Sequence, residues 1–307
     1  MIETMACKIC GAPSRETFRI PASKKTGHPL PDLPDDCPYY ECSKCGFCFS
    51  TLLDSVDHTT IYDESYWTGQ DPDWYGRVSE TLRLVLLANG LVQRPPDSLE
   101  ILDFGCGMGT FVETCRRNLQ LDAWGTDIIK PKFGADYFLP NVNRKFDIIV
   151  ACEVMEHIPT PSETFRAIRG MLKPGGAFAF QTAEYDRVSG RDWWYVGPDN
   201  GHISLYSRGA LDSLFKQLGG RTRAMWRDYP GVQAWQFEQP QLNAEEGRFR
   251  ALEEKLAAVH RSTSWRVTAP LRGIGNIFRG TTDRVLNPAR VLRRRSEPRL
   301  ADAATKG

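Results

Sequence analysis

Between residues 75 and 238 the chain alternates between two hydrophobic periods. Short apolar runs bounded by glycine, polar or charged residues predict buried strands at Leu99–Phe104, Ala123–Ile128, Phe146–Cys152 and Ala177–Thr182. FDIIVAC, residues 146–152, is apolar on both sides of the pleat, as a strand covered on both faces must be. Between these runs the period lengthens to about 3.6, which predicts helices at Tyr75–Leu91, Thr110–Leu119, Ser162–Leu172 and Ala210–Leu218. In the first, Val78, Leu82, Val85 and Leu86 share a face; Gly90 can end it, and Pro95–Pro96 stop any continuation. KPGG, residues 173–176, reads as the turn closing the third helix. Strand and helix in alternation predict a doubly wound α/β fold, Rossmann-like, with a mostly parallel sheet and helices on both faces.

The ends of the chain do not follow this pattern. Residues 1–50 are rich in Cys, Pro and Gly and show little helical periodicity. Residues 183–208 form a long aromatic and polar insertion, and insertions of this length in a compact domain usually serve function. Residues 221–238 supply the last strands, and residues 244–262 read as an amphipathic helix. The expected organisation is a small module over residues 1–57, the α/β domain over 58–240, and a helical basic tail over 241–307.

Composition excludes some classes. No apolar run approaches the ~18 residues of a membrane span. MIETMACKICG lacks the basic and apolar regions of a signal peptide, so the expected compartment is the cytoplasm. The net charge of +1 hides a split: residues 261–307 carry eleven basic and three acidic residues, whereas the first 260 carry 28 and 35. A body at −7 and a tail at +8 suggest an interaction tail.

Six of the nine cysteines lie in the first 50 residues. In a reducing compartment such clustering points to metal before disulfides. CKICG and CSKCG place Cys7 with Cys10 and Cys42 with Cys45, and four thiolates suit a structural, tetrahedral zinc with no open position. Each following glycine permits the left-handed turn of a metal knuckle. Cys37, Cys48 and His28 are spare candidates.

The segment ILDFGCGMGTF, residues 101–111, runs from a strand through a glycine-rich turn into a helix. Glycines there admit close approach of a ligand to the backbone. Asp103 precedes the first glycine by two residues. Asp127 ends the next strand about 20 residues further on, where such folds hold ribose hydroxyls. With WGTDI, FDIIVACEVMEHI and LKPGGAFAFQT following in order, residues 60–235 resemble class I S-adenosylmethionine-dependent methyltransferases. The resemblance implies that Gly105, Cys106, Gly107 and Gly109 line the cofactor and that Asp103 faces its ammonium group. Asp127 takes both ribose hydroxyls, Cys152 and Glu153 stand beside the cofactor, and Tyr66 caps it together with Tyr62. Adenine falls after Phe133, at Asp136 or Tyr137.

Catalytic candidates are His202, in NGHISLYS, and the pair Glu156–His157, in EVMEHI. His202 is the expected general base, and His157 either shapes the site or shares that role. Trp193, Trp194 and Tyr195 form either a stacking wall for the acceptor or the core of a lid.

The paired cysteines ahead of such a domain are similar to the zinc module of bacterial deoxysugar C-methyltransferases. The segment around SWRVTAPLR, residues 264–272, is similar to sequences beside enzymes of bacterial surface-polysaccharide assembly. These likenesses imply a sugar or glycan acceptor, nucleotide-linked or lipid-linked, with O-methylation first and C-methylation second. A zinc-ribbon RNA methyltransferase is a third reading, which the acidic body disfavours, since a phosphate-tracking cleft is normally basic; a non-catalytic scaffold is a fourth. Aromatic and aliphatic residues among the arginines of the tail would suit an anionic membrane surface, at about 1 kcal/mol per basic residue near it. A disordered or oligomer-contact tail is the alternative.

Overall fold

The computed structural model describes residues 4–24, 35–60, 62, 77–226 and 229–238. They all lie in the first of two compact units, residues 1–239 and 240–307. Tyr66, His28 and the amphipathic and basic tail segments lie outside the described residues.

The larger sheet has the strand order β10-β11-β8-β7-β5-β6. Its strands are β5 (Glu100–Phe104), β6 (Asp122–Thr126), β7 (Phe146–Cys152), β8 (Leu172–Gln181), β10 (Gly220–Trp226) and β11 (Tyr229–Phe237). β6, β5, β7 and β8 pair in parallel, whereas β11 runs antiparallel to both its neighbours. Chain order reverses between β5 and β7, so the carboxyl ends of these two strands face the switch-point crevice where such sheets bind ligands.

The apolar run of β7 is divided between two cores. Ile148 and Val150 pack with Leu84, Val85 and Ala88 of α1 (Arg77–Val92) and with Phe111 and Val112 of α2 (Thr110–Arg117). Ile149 and Ala151 face the opposite side, against Phe165 and Ile168 of α3 (Pro161–Gly170) and Leu211 and Leu214 of α4 (Arg208–Gln217). Each fully buried side chain of this size contributes roughly 1.5–3 kcal/mol. The second core also takes in Cys7, Ile9, Phe47 and Phe49 from the N-terminal region, so the two regions share one apolar interior.

The helices and strands lie where their periodicity places them, with two local differences. KPGG does not close a helix: α3 stops at Gly170, and β8 begins at Leu172. Phe146 pairs with Leu172 before a register shift, and Gly175, at φ +78°, gives the chain the irregularity that carries it into regular pairing. α4 starts at Arg208, earlier than its apolar positions suggest. Ser207 caps it, its hydroxyl accepting from the Ala210 N–H at 3.1 Å.

A second sheet has the order β1-β2-β3-β4-β9. Four strands are N-terminal: β1 (Thr4–Ala6), β2 (Pro13–Pro21), β3 (Asp36–Cys42) and β4 (Cys48–Phe49). The fifth, β9 (Ser204–Leu205), comes from the insertion after β8 and pairs antiparallel with β4. The insertion therefore completes the cysteine-rich sheet. No helix among the described residues is long and apolar enough to cross a membrane.

Candidate functional site

A cavity of about 1270 Å³ opens at the carboxyl ends of β5, β6, β7 and β8. At one end lies the glycine-rich turn. Gly105 and Cys106 donate their N–H groups to the Thr126 carbonyl, at 2.8 and 3.1 Å, which holds the turn to the end of β6. Gly107 N–H donates to Asp127 Oδ2 at 2.8 Å. Gly105, Gly107 and Gly109 all have positive φ, at +76°, +51° and +79°. At Gly105 a Cβ would stand 2.6 Å from Val154 Cγ2, and at Gly109 it would stand 2.1 Å from the Phe133 carbonyl oxygen. Two of the three glycines are thus demanded by the protein's own packing as well as by any ligand.

Two carboxyl groups face this turn. Asp103, at the end of β5, is buried, and desolvation together with the charge of Asp127 raises its pKa to about 8. Burial also raises Asp127, against the N–H groups of Gly107 and Ile129 that stabilise its ionised form. A buried acid with no ion-pair partner among the described residues suits a ligand that brings a positive charge of its own.

Asp103, Gly105, Cys106, Gly107, Asp127, Cys152 and Glu153 all line the cavity. Gly109 is not among the lining residues; it sits one step behind, at the N-terminus of α2. Neither Asp136 nor Tyr137 lines the cavity either. Tyr137 packs edge-on to Trp124 and beneath the Arg116 guanidinium, at 6.1 and 4.3 Å, so its ring is engaged within the domain.

The other end of the cavity is built from the turn after β7 and from the insertion. Glu156 is 0% exposed; among the described residues neither carboxylate oxygen is within hydrogen-bond distance of a partner, and His157 Nε2 stands 3.8 Å from Oε1. Burial, and next the charge of Glu153, raise its pKa well above the ordinary carboxylate range. His157 Nδ1 lies 3.0 Å from the Tyr62 hydroxyl. The His157 and His202 rings meet edge to face, with centroids 4.9 Å apart. His202 Nδ1 lies 2.7 Å from the Tyr195 carbonyl oxygen, which can only accept, so Nδ1 carries the proton. The opposite nitrogen, Nε2, then accepts from the Asn200 side-chain amide at 3.1 Å. Gly201, at φ +76°, lets the chain pass this point, where a Cβ would lie 1.9 Å from the Tyr62 hydroxyl oxygen. His202 is therefore brought into one cluster with the adjacent pair Glu156–His157, 45 residues earlier in the sequence.

Glu153 is placed more tightly than its sequence suggests. It is one of three non-glycine residues with positive φ among the described residues, at +54°. Its carboxylate accepts from Gln181 Nε2 at 3.1 Å and from the Tyr195 hydroxyl at 2.9 Å. A left-handed conformation at a side chain of this kind costs about 1–3 kcal/mol and persists where its surroundings over-determine it. No local pattern in the sequence announces it. Trp193, Trp194 and Tyr195 all line the cavity; Trp193 is buried against Tyr185 and Tyr195, whereas Trp194 is 70% exposed.

In the N-terminal region, Cys7, Cys10, Cys42 and Cys45 converge, their sulfur atoms within 4.8 Å of one another. Three of the sulfur pairs are 3.5–3.7 Å apart. Four sulfurs placed about 2.3 Å from one zinc ion would be about 3.8 Å apart, so the donor set fits. The knuckles repeat each other: Gly11 N–H donates to the Cys7 carbonyl at 2.9 Å and Gly46 N–H to the Cys42 carbonyl at 3.0 Å. Both glycines have φ of +70°. Cys37 and Cys48 are not part of the cluster; Cys37 lies 3.1 Å from the Ser50 hydroxyl in the interior of the module.

Residues 77–222 match a family model described as a methyltransferase domain. The chain is 28% identical over 154 residues to a ubiquinone biosynthesis O-methyltransferase of Pseudomonas entomophila, covering 42% of this chain and 65% of that one. It is 30% identical over 147 residues to the protein of the same name from Bartonella tribocorum, covering 39% and 60%. The chain thus spans less than two thirds of the length of these relatives. Streptomyces venezuelae DesVI superposes with a TM-score of 0.39 at 16% identity, covering 60% of this chain and all of that one. The likeness to methyltransferases is thus carried by residues 77–222, the part of the chain that holds the glycine-rich turn and both ends of the cavity.

Proposed function

We propose that the chain methylates a hydroxyl group of a sugar destined for a cell-surface glycan. The observation that carries this reading is a single cavity with two chemically different ends. The glycine turn with Asp103 and Asp127 lies at one, and Glu156, His157 and His202 lie at the other. When bound, S-adenosylmethionine supplies an electrophilic methyl group on a sulfonium centre. Asp103 pairs with its ammonium, and Asp127 accepts from its ribose hydroxyls. His202 takes the acceptor proton on Nε2, exchanging its bond from Asn200 for one from the acceptor, while Nδ1–H stays on the Tyr195 carbonyl. Burial of Glu156 disfavours its ionised form at the acceptor end of the cavity. Trp194 offers a face on which a ring can stack. The four module cysteines hold one zinc ion structurally.

The names of the relatives favour a second reading, in which the acceptor is an aromatic hydroxyl. Both readings are tested by incubating the full chain with methyl-labelled cofactor and either nucleotide sugars or a catechol. Label on the sugar, abolished with His202→Ala while S-adenosylhomocysteine affinity stays within about twofold, is the expected result. General-base assistance is worth ~10²–10⁴-fold, which sets the size of the loss. Label on the catechol alone would replace the first reading with the second.

A further inference from the structure

Among the bonds that join the N-terminal sheet to the catalytic insertion is a buried one that neither the glycine turn nor the cysteine cluster requires. Tyr39, in the middle of β3, is fully buried, and its hydroxyl donates to the backbone carbonyl of His202 at 2.7 Å. The Phe18 ring lies against the Tyr39 ring, with centroids 4.9 Å apart and planes 26° from parallel. One residue further on, Ser50 N–H donates to the Ile203 carbonyl at 2.9 Å, and β9 then pairs with β4.

On its other side, the His202 ring donates from Nδ1 to the Tyr195 carbonyl, and the Tyr195 hydroxyl donates to Glu153 at the end of β7. The imidazole therefore stands between two anchors, one on the N-terminal sheet and one on the methyltransferase sheet. A buried tyrosine hydroxyl left without an acceptor forfeits its hydration with nothing in return, so Tyr39 and the His202 peptide hold each other in register.

We propose that Tyr39 is a positioning residue for the methyltransferase site. It fixes the His202 peptide so that Nδ1–H reaches the Tyr195 carbonyl and Nε2 is the nitrogen presented to the acceptor. In this account the cysteine-rich module is part of the acceptor half of the site, supplying no group to the reacting atoms but setting the tautomer of the base. The inference rests on His202 acting as the base, yet the tautomer can be read without any methyl transfer.

The test is nitrogen NMR of the histidine rings in the full chain. In the wild type His202 shows the Nδ1–H tautomer alone, and the Tyr39 hydroxyl proton exchanges slowly enough to be observed. In Tyr39→Phe, which keeps the ring and its stacking, His202 shows a mixture of tautomers, with S-adenosylhomocysteine affinity within about twofold of wild type. Phe18→Leu is the control, since it loosens the module without removing the bond, and leaves His202 as Nδ1–H. A Tyr39→Phe protein with a single Nδ1–H tautomer would overturn the proposal, as would the same mixture in Phe18→Leu. Should Tyr39→Phe fail to fold, the wild-type hydroxyl proton decides: fast exchange there overturns it. If instead the base reading is at fault, His202→Ala keeps normal turnover while the tautomer still responds to Tyr39.

Discussion

At the scale of single residues, two carboxyl groups that face one turn are given different work by their surroundings. Asp127 is bonded by backbone N–H groups and is suited to accept from hydroxyls, whereas Asp103 is held largely protonated, with its pKa raised to about 8 by burial and by Asp127. Binding a cationic ammonium beside Asp103 must therefore expel a proton below that pH. S-adenosylhomocysteine affinity should rise with pH, by at most ~10-fold per unit, and level off above about 8. Calorimetry in buffers of different ionisation enthalpy should show close to one proton released per ligand near pH 6.5. Asp103→Asn should abolish the release; a flat affinity profile in the wild type would contradict the assignment. Asp103 and Asp127 were legible in the sequence because each stands at a fixed offset from a strand end and a glycine. Glu153 and Tyr39 were not, because what distinguishes them is a backbone angle and a partner 163 residues away.

At the scale of elements, turns decide more than strands or helices. Gly109 does not line the cavity, but its αL conformation and the approach of the Phe133 carbonyl leave no room for a side chain. Gly109→Ala should displace the start of α2, lower stability by about 1–3 kcal/mol and weaken cofactor binding. A thermal melt and a calorimetric titration check both effects, and wild-type values in both would show that the turn is looser than described. The cysteine knuckles make a parallel case. One zinc per chain is expected by elemental analysis, falling to well under half in Cys42→Ser, with chelation loosening the first ~50 residues. Strands and helices were readable from periodicity because both faces of β7 are covered, and only a parallel sheet between helices requires that. The KPGG segment was misread because Pro and Gly mark a turn and a strand irregularity alike, and only the pairing of Phe146 with Leu172 separates the two.

At the scale of the whole molecule, the described residues form two sheets sharing one apolar interior, with the cofactor end of the cavity on the larger sheet and the acceptor end on an insertion that completes the smaller. The sequence displayed the first end almost entirely, since four motifs follow one another in order. It displayed the second only as a list of candidates, because His202, His157 and Tyr62 are brought together by the path of the insertion and not by spacing. The central claim is that the glycine turn and its two carboxyl groups bind the cofactor of methyl transfer. The measurement that tests it most directly is a calorimetric titration of the full chain at pH 8.5 with S-adenosylhomocysteine, repeated with NAD and with Asp127→Ala. Saturable binding of one S-adenosylhomocysteine per chain is predicted, weakened in Asp127→Ala by about 1–3 kcal/mol, the worth of charged hydrogen bonds, with no binding of NAD. Preferential binding of NAD, or no binding of S-adenosylhomocysteine by the wild type, would contradict the account.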